Sequence, residues 1–145
     1  MRKRFDSATV GLLVAAAAFA VLQSGCQDEK EVELRSLDPE AHATGEAELR
    51  VDNLGKCVVK LHVRGLPRPA VADEGAKHYV LWAQPTDGEP EHLGVLGWKE
   101  GESEELVGVT ELEKFALMLT AEKEEEPERP GLSVMMSDPT KVKDE

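Results

Sequence analysis

Short segments in which apolar and polar residues alternate, separated by turn residues, follow one another along most of the chain. Residues 47–51 and 57–64 alternate alanine, leucine, valine or cysteine with mostly charged side chains, and a polar turn lies between them at residues 52–56. A period of two is typical of half-buried β-strands, so these segments predict a β-hairpin. A Gly-Leu-Pro-Arg-Pro segment follows at residues 65–69, and it ends the second strand because proline cannot donate to a sheet ladder.

Five further segments with strand character follow this hairpin. They cover residues 78–84, 92–98, 105–110, 115–122 and 132–137. Turn residues recur too often for helices of ordinary length, and only residues 111–119 also admit a short helical turn. The pattern predicts an all-β fold, an antiparallel Ig-like β-sandwich of about seven strands over residues 45–138, with residues 139–145 as a frayed tail.

The first 25 residues have a different pattern, in which three basic residues precede an apolar run at residues 10–22. A helix of that length spans roughly 20 Å, short of the ~30 Å hydrocarbon core of a bilayer. Residues 1–25 therefore predict a cleaved signal peptide and not a membrane-spanning helix. Small residues lead directly into Cys26, which resembles a bacterial lipoprotein signal, although Gln23 occupies the position where leucine is usual and Leu22 lies one residue earlier.

The resemblance to lipoprotein signals implies that Cys26 is lipidated and becomes the first mature residue. Acyl chains such as palmitate would then hold the protein on a membrane of the bacterial cell envelope, facing the periplasm or the cell exterior. Residues 26–44 are polar and lack clean periodicity, so they predict a flexible tether behind the lipid. Lipidation would also leave Cys57 without a disulfide partner. The alternative is ordinary cleavage near Gly25, with Cys26 as a plain thiol.

The charge of the chain excludes one class of partner. It carries 17 basic and 29 acidic residues, a formal charge of −12, and residues 1–25 hold three of the basic residues but only one acidic residue. The mature part is therefore even more acidic. Such a surface repels the phosphates of nucleic acids, so we expect no nucleic acid as a partner. The expected partner is the membrane, through the lipid on Cys26.

Metal-binding and catalytic patterns are weak in this sequence. Cys57 and His62 lie five apart in one predicted strand, so their side chains point to opposite faces and do not form a copper site. Cys57 is predicted to be a small core residue. His78 and His92 are expected to face each other across the hairpin of their two strands. The adjacent carboxylates of residues 122–128 are typical of a solvated surface and not of a catalytic pair. We therefore predict no enzymatic activity, no metal and no cofactor.

Three longer segments resemble a known family. They cover residues 61–67, 78–96 and 117–131. In this order they resemble the extracytoplasmic domain of anti-sigma-K factors, over roughly residues 46–137. The residues that carry the resemblance are Gly65, Leu66, Pro67, Tyr79, Trp82, Gly88, Gly94, Thr120, Glu122 and Pro130. The resemblance implies structural roles for these residues, with Trp82 in the core, and a binding or sensory role in envelope signalling.

Two departures limit what this resemblance implies. Such factors are expected to carry a cytoplasmic sigma-binding domain and a membrane-spanning helix, and neither pattern occurs in this sequence. The glycine-rich stretch expected after Glu122 is replaced by the charged residues 123–126. The prediction is a lipid-anchored binding or sensory module without its own sigma-binding domain. The alternatives are a structural envelope lipoprotein with no signalling role and a small metal-binding carrier.

Overall fold

The computed structural model describes residues 29–142, which form one antiparallel sheet with a single short helix. The strands are β1 (Glu29–Ser36), β2 (Thr44–Val51), β3 (Cys57–Arg64), β4 (His78–Pro85), β5 (Glu91–Leu96), β6 (Glu104–Thr110), β7 (Lys114–Glu122), β8 (Leu132–Met136) and β9 (Thr140–Lys141), and helix α1 (Pro69–Ala72) lies between β3 and β4. The predicted antiparallel all-β fold is confirmed. The signal peptide and Cys26 lie outside the described residues.

The sheet curls until its two end strands pack against each other. The strand order is β5-β4-β7-β8-β1-β2-β3-β6, with β9 beside β7. Within the described chain no ladder joins β5 to β6, yet side chains close the seam between them. A Cβ atom on Gly94 would lie 3.0 Å from Leu106 Cδ1, and one on Gly108 would lie 3.0 Å from Leu93 Cβ. These two glycines let the strands approach closely, and the result is a nearly closed, barrel-like sandwich.

Alternate residues of the strands point into this barrel and form its core. The buried set includes Leu34, Ala47, Leu49, Cys57, Val59, Leu61, Val63, Tyr79, Leu81, Leu117, Leu119 and Met135. The prediction that Cys57 is a core residue is confirmed, because its side chain is buried among these apolar groups.

Lys114–Glu122 is a regular strand, so the helical alternative for residues 111–119 is wrong. Its side chains are buried along almost the whole strand.

The predicted tether is in part a strand of the barrel. Residues Glu29–Ser36 form β1, which pairs with β2 along seven residue pairs and places Val32 and Leu34 in the core. The tail prediction also needs correction, since Thr140–Lys141 pairs with β7 and Val142 is buried. These segments carry few apolar residues, and they are ordered because the sheet supplies both their backbone partners and the surface that they cover. The described fold thus extends beyond residues 45–138 at both ends.

The two ends of the barrel differ in what they carry. We call the end where β1 begins the proximal end; it also holds the β2–β3 turn at residues 52–56 and the β4–β5 turn at residues 86–90. The opposite, distal end holds the β1–β2 connection, the segment around α1 and the β7–β8 loop at residues 123–131. The strands that join the two ends are up to eight or nine residues long, and eight residues of β-strand measure about 27 Å.

Candidate functional site

An apolar cleft opens at the distal end of the barrel. Its volume is about 350 Å³, and it is formed where the β1–β2 connection, the segment around α1 and the start of β8 meet. Apolar side chains that line it include Leu37, Leu66, Val71, Tyr79, Leu132 and Val134. We call this the distal cleft. Its volume lies at the lower end of the range typical of ligand pockets, about 300–1,000 Å³.

One wall of the distal cleft is the Gly-Leu-Pro motif at residues 65–67. The Tyr79 hydroxyl donates to the Pro67 carbonyl at 2.6 Å, and Trp98 Nε1 donates to the Leu66 carbonyl at 3.0 Å. Gly65 has a φ of +77°, which permits the turn that brings residues 66 and 67 against the two aromatic side chains. Three of the motif residues from the sequence, Leu66, Pro67 and Tyr79, thus line one cleft.

Tyr79 is a structural group in this wall. Its side chain is fully buried, and burial raises its pKa to about 12 from the ordinary value of 10.0. The hydroxyl therefore stays neutral at physiological pH and acts as a hydrogen-bond donor. Together with the apolar lining, this makes the distal cleft suited to binding apolar groups.

The rim of the distal cleft exposes large apolar side chains to water. Val71 is 74% exposed, Leu37 52% and Leu132 50%. They come from three segments that are far apart in the sequence, the β1–β2 connection, α1 and β8. Neighbouring exposed apolar residues beside a pocket are typical of interaction surfaces. Sequence reasoning missed these residues, because only the pairing of β1 with β8 brings Leu37 and Leu132 to the same place.

A second group of motif residues lies on the other face of the sheet. Val80, Trp82 and Met118 form a small buried cluster there, separate from the barrel core, and we call it the outer cluster. The burial of Trp82, with 2% of its surface exposed, fits its predicted role as a packing residue, although its neighbours are not those of the main core. The ring of His92 meets that of Trp82 edge-on at a centroid distance of 5.4 Å.

A chain of hydrogen bonds ties the outer cluster to the β7–β8 loop. Trp82 Nε1 donates to Thr120 Oγ1 at 2.9 Å, and the Thr120 hydroxyl donates to Glu122 Oε2 at 2.5 Å. The amide of Gly131 donates to the same carboxylate oxygen at 2.7 Å. Glu122 is therefore a buried acceptor that fastens the end of the loop. Three residues that carry the family resemblance thus share one structural role: Trp82, Thr120 and Glu122.

The expectation that His78 faces His92 is wrong. The β4–β5 register places His92 opposite Trp82, whereas His78 pairs with Glu122 on the other side of β4. The cause is the antiparallel hairpin itself: His78 begins β4 and lies near Leu96 at the end of β5, whereas His92 lies near the turn at the start of β5. His92 Nε2 lies 2.9 Å from the carbonyl oxygen of Glu125 in the β7–β8 loop.

The remaining motif glycines lie away from the distal cleft. Gly88 has a φ of +128° in the β4–β5 turn, where its carbonyl accepts a hydrogen bond from Gln84 Nε2 at 3.3 Å. Gly94 lies at the β5–β6 seam, beside a β-bulge in the pairing of β4 with β5. The absence of a side chain at this glycine permits both the bulge and the close approach. Pro130 lies in the β7–β8 loop, one residue before the amide that Glu122 binds.

The sheet separates the potential metal ligands Cys57 and His62. Cys57 is buried inside the barrel, and burial raises the pKa of its thiol. His62 lies on the outer face, where its Nδ1 is 3.2 Å from Glu105 Oε1. The prediction that these two side chains point to opposite faces is confirmed. Among residues 29–142, no group of three or more histidine, cysteine, aspartate or glutamate side chains is arranged to hold a metal ion.

Comparisons with known proteins add no relative to this description. No protein-family model, no curated protein and no solved structure matches the chain. Within the described residues, no helix has the length and apolar character needed to cross a membrane.

Proposed function

We propose that this protein is a lipid-anchored extracytoplasmic binding module, held to the membrane by Cys26, whose distal cleft binds a protein partner in the cell envelope. The observation that carries the proposal is an apolar cleft with an exposed apolar rim, built on a rigid wall of backbone held by Tyr79 and Trp98. The signal-like pattern that ends at Cys26 supports the anchor.

A protein fits the distal cleft better than a small molecule does. The cleft volume of about 350 Å³ takes one or two apolar side chains. Val71, at 74% exposure, keeps most of its surface outside the cleft, so a ligand held within the cleft would leave that surface in water. A protein surface would cover the rim while one apolar side chain fills the cleft, which is the usual arrangement at interface hot spots.

The position of the distal cleft suits this role. Only two residues separate Cys26 from β1, so a lipid on Cys26 would lie within about 11 Å of Glu29. That holds the proximal end close to the membrane. The distal cleft would then lie at the far end of strands about 27 Å long, where a partner can reach it.

Site-specific photocrosslinking in cells tests the binding role. A photoreactive residue in place of Leu132 should give one discrete adduct, and Val71→Asp in the same chain should abolish it, because a carboxylate at the rim disfavours an apolar partner. Val109, which is also exposed but lies on β6 away from the distal cleft, is the control position. The proposal fails if no adduct forms at position 132, or if a photoreactive residue at position 109 gives the same adduct.

Participation in signalling is the narrower part of the proposal, and the resemblance to anti-sigma-K extracytoplasmic domains supports it. In this proposal the signal passes through the partner that binds at the distal cleft. A transcription profile of cells that carry Val71→Asp tests this. We expect a shift in one set of envelope-stress genes, with the Val109→Asp strain unchanged. An unchanged profile alongside a lost crosslink would leave a binding protein without a signalling role.

A further inference from the structure

The sheet is split along one side of β1. On one edge, β1 pairs with β2 over seven residue pairs. On the other edge, only Arg35 and Ser36 pair with β8, and the next bond, from the Leu37 amide to the Val134 carbonyl, continues toward the distal end. Among the described residues, no strand pairs with the edge of Glu29 to Leu34 on this side. We call this edge the β1 edge.

The hydrogen-bonding pattern shows which backbone groups face the β1 edge. In antiparallel sheets, hydrogen-bonded pairs alternate with non-bonded ones. The Asp52 amide donates to the Lys56 carbonyl, which shows that the even residues of β2 are the ones that bond to β3. The odd residues of β2 therefore bond to β1. The register of β1 with β2 then assigns the even residues of β1 to β2. The amide and carbonyl groups of Glu29, Glu31 and Glu33 therefore point into the split.

Space lies beside these groups. A cavity of about 290 Å³ is lined by Glu31, Val32, Glu33 and Arg35 on one side and by Asp138 and Thr140 on the other. Two side-chain contacts bridge the split at its ends. Lys30 Nζ donates to the Lys141 carbonyl at 2.7 Å, and Arg35 Nη2 lies 2.7 Å from Asp138 Oδ1. The Arg35 and Asp138 side chains are well exposed, so this bridge is weak and can be displaced.

The outer face beside the β1 edge carries carboxylates without a cation partner. Glu31 lies directly opposite Glu48, and Glu33 lies opposite Glu46. Both are non-bonded pairs, in which side chains come closest, and like charges in that position destabilise a sheet. The nearest basic side chains on β3, Lys60 and His62, lie 3.8 and 3.2 Å from Glu105 instead. No ion pair within residues 29–142 neutralises the four glutamates.

We propose that the β1 edge binds an extended basic peptide by β-strand addition. The backbone groups of Glu31 and Glu33 would bond to the added strand, as at other exposed sheet edges that bind peptides. Residues opposite Glu31 and Glu33 would carry lysine or arginine on the outer face and neutralise the carboxylates. The residues between them would lie beside Val32 and Leu34, where small apolar side chains fit. The recognised pattern is an alternation of basic and apolar residues.

A synthetic peptide tests this on the full chain in a neutral detergent. The probe is Lys-Val-Lys-Val-Lys-Val-Lys. The matched peptide has the same sequence, with a methyl group on the backbone nitrogen of each of the two inner lysines. Both have the same charge, but the second has lost the two amide donors that would face Glu31 and Glu33. We expect the first to bind and to slow hydrogen exchange at the Glu31 and Glu33 amides, and the second to bind about tenfold more weakly.

Variants of the protein separate the edge from general attraction to an acidic surface. Glu31→Pro removes an amide that faces the split and leaves the β1–β2 bonds intact, so it should weaken binding about tenfold without unfolding the chain. Glu31→Gln with Glu33→Gln is the milder variant, with an expected loss of about fivefold. Glu124→Gln with Glu126→Gln on the β7–β8 loop is the matched control and should leave binding unchanged. The proposal is overturned if the unmodified peptide does not bind, if the N-methylated peptide binds equally, or if the loop variant causes the same loss.

Discussion

At the scale of single residues, the two tryptophans hold different parts of the molecule. Trp82 is almost completely buried in the outer cluster and donates to Thr120, which in turn donates to Glu122. Trp98 is half-buried and donates to the Leu66 carbonyl in the wall of the distal cleft. The structure gives Trp98 a specific contact that the sequence did not indicate.

We expect Trp82→Ala to lower the free energy of unfolding by about 3–5 kcal/mol, the usual cost of removing a large buried aromatic side chain. Trp98→Ala should cost less, because more of its surface is in water. Urea unfolding of the two variants, followed by far-ultraviolet circular dichroism, measures both. Equal unfolding midpoints would contradict this assignment. Trp98→Ala should also lose the crosslink at Leu132 while the chain stays folded.

Tyr79 gives the molecule a measurable response to alkaline pH. Its pKa is about 12 in the folded state, against 10.0 for an ordinary tyrosine, because burial disfavours the charged phenolate. Between these values the unfolded chain has lost the proton and the folded chain keeps it. The contribution of Tyr79 to stability is therefore complete below pH 10 and falls by about 1.4 kcal/mol per pH unit up to pH 12.

Absorbance at 295 nm follows this ionisation directly, since Tyr79 is the single tyrosine of the chain. The folded protein should titrate near pH 12 and the urea-unfolded protein near pH 10. Tyr79→Phe is the control. It should remove this part of the alkaline loss of stability, and it should cost about 1 kcal/mol at neutral pH through loss of the bond to Pro67. A titration near pH 10 in the folded state would show that the hydroxyl is exposed.

At the scale of elements, alternation predicted most of the sheet. All seven strands expected between residues 47 and 137 are present, since each carries its own period of two or a buried apolar run. The first strand was missed although Val32 and Leu34 alternate with Glu31 and Glu33, because two apolar residues among charges are weak evidence without a partner strand. The distal cleft was not predictable, because it depends on which strands become neighbours. Its wall residues were found through the family resemblance, and its rim residues were not.

The strand β1 can be distinguished from a tether by a pair of substitutions. Val32→Asp places a carboxylate in the barrel core without a partner, and we expect it to lower the free energy of unfolding by about 2–4 kcal/mol. The neighbouring Glu33→Asp lies on the exposed face of the same strand and should change it by less than about 0.5 kcal/mol. Thermal or urea unfolding of both variants makes the comparison. If β1 were a tether, the two substitutions would have the same small effect.

At the scale of the whole molecule, the ordering of β1 changes the expected position of the domain on a membrane. An unstructured segment of residues 26–44 would let the barrel rotate freely above the lipid. Under the proposal that Cys26 carries a lipid anchor, a strand that begins at Glu29 would hold the proximal end beside that anchor, together with the β2–β3 turn at residues 52–56. Leu54 at the tip of that turn is 81% exposed, so a large apolar side chain is directed outward at the end nearest Cys26.

This orientation is measurable on the lipidated protein in vesicles. A fluorophore attached at Leu54→Cys should be quenched by quencher-labelled lipids, whereas one at Val71→Cys, at the distal end of the barrel, should not. Cys57 does not interfere with labelling because it is buried. Cys26→Ser is the control and should release the protein from the vesicles and abolish quenching at position 54. Equal quenching at positions 54 and 71 would mean that the barrel lies on its side or turns freely. If the Cys26→Ser protein stays on the vesicles, something other than a lipid on Cys26 binds it to the membrane.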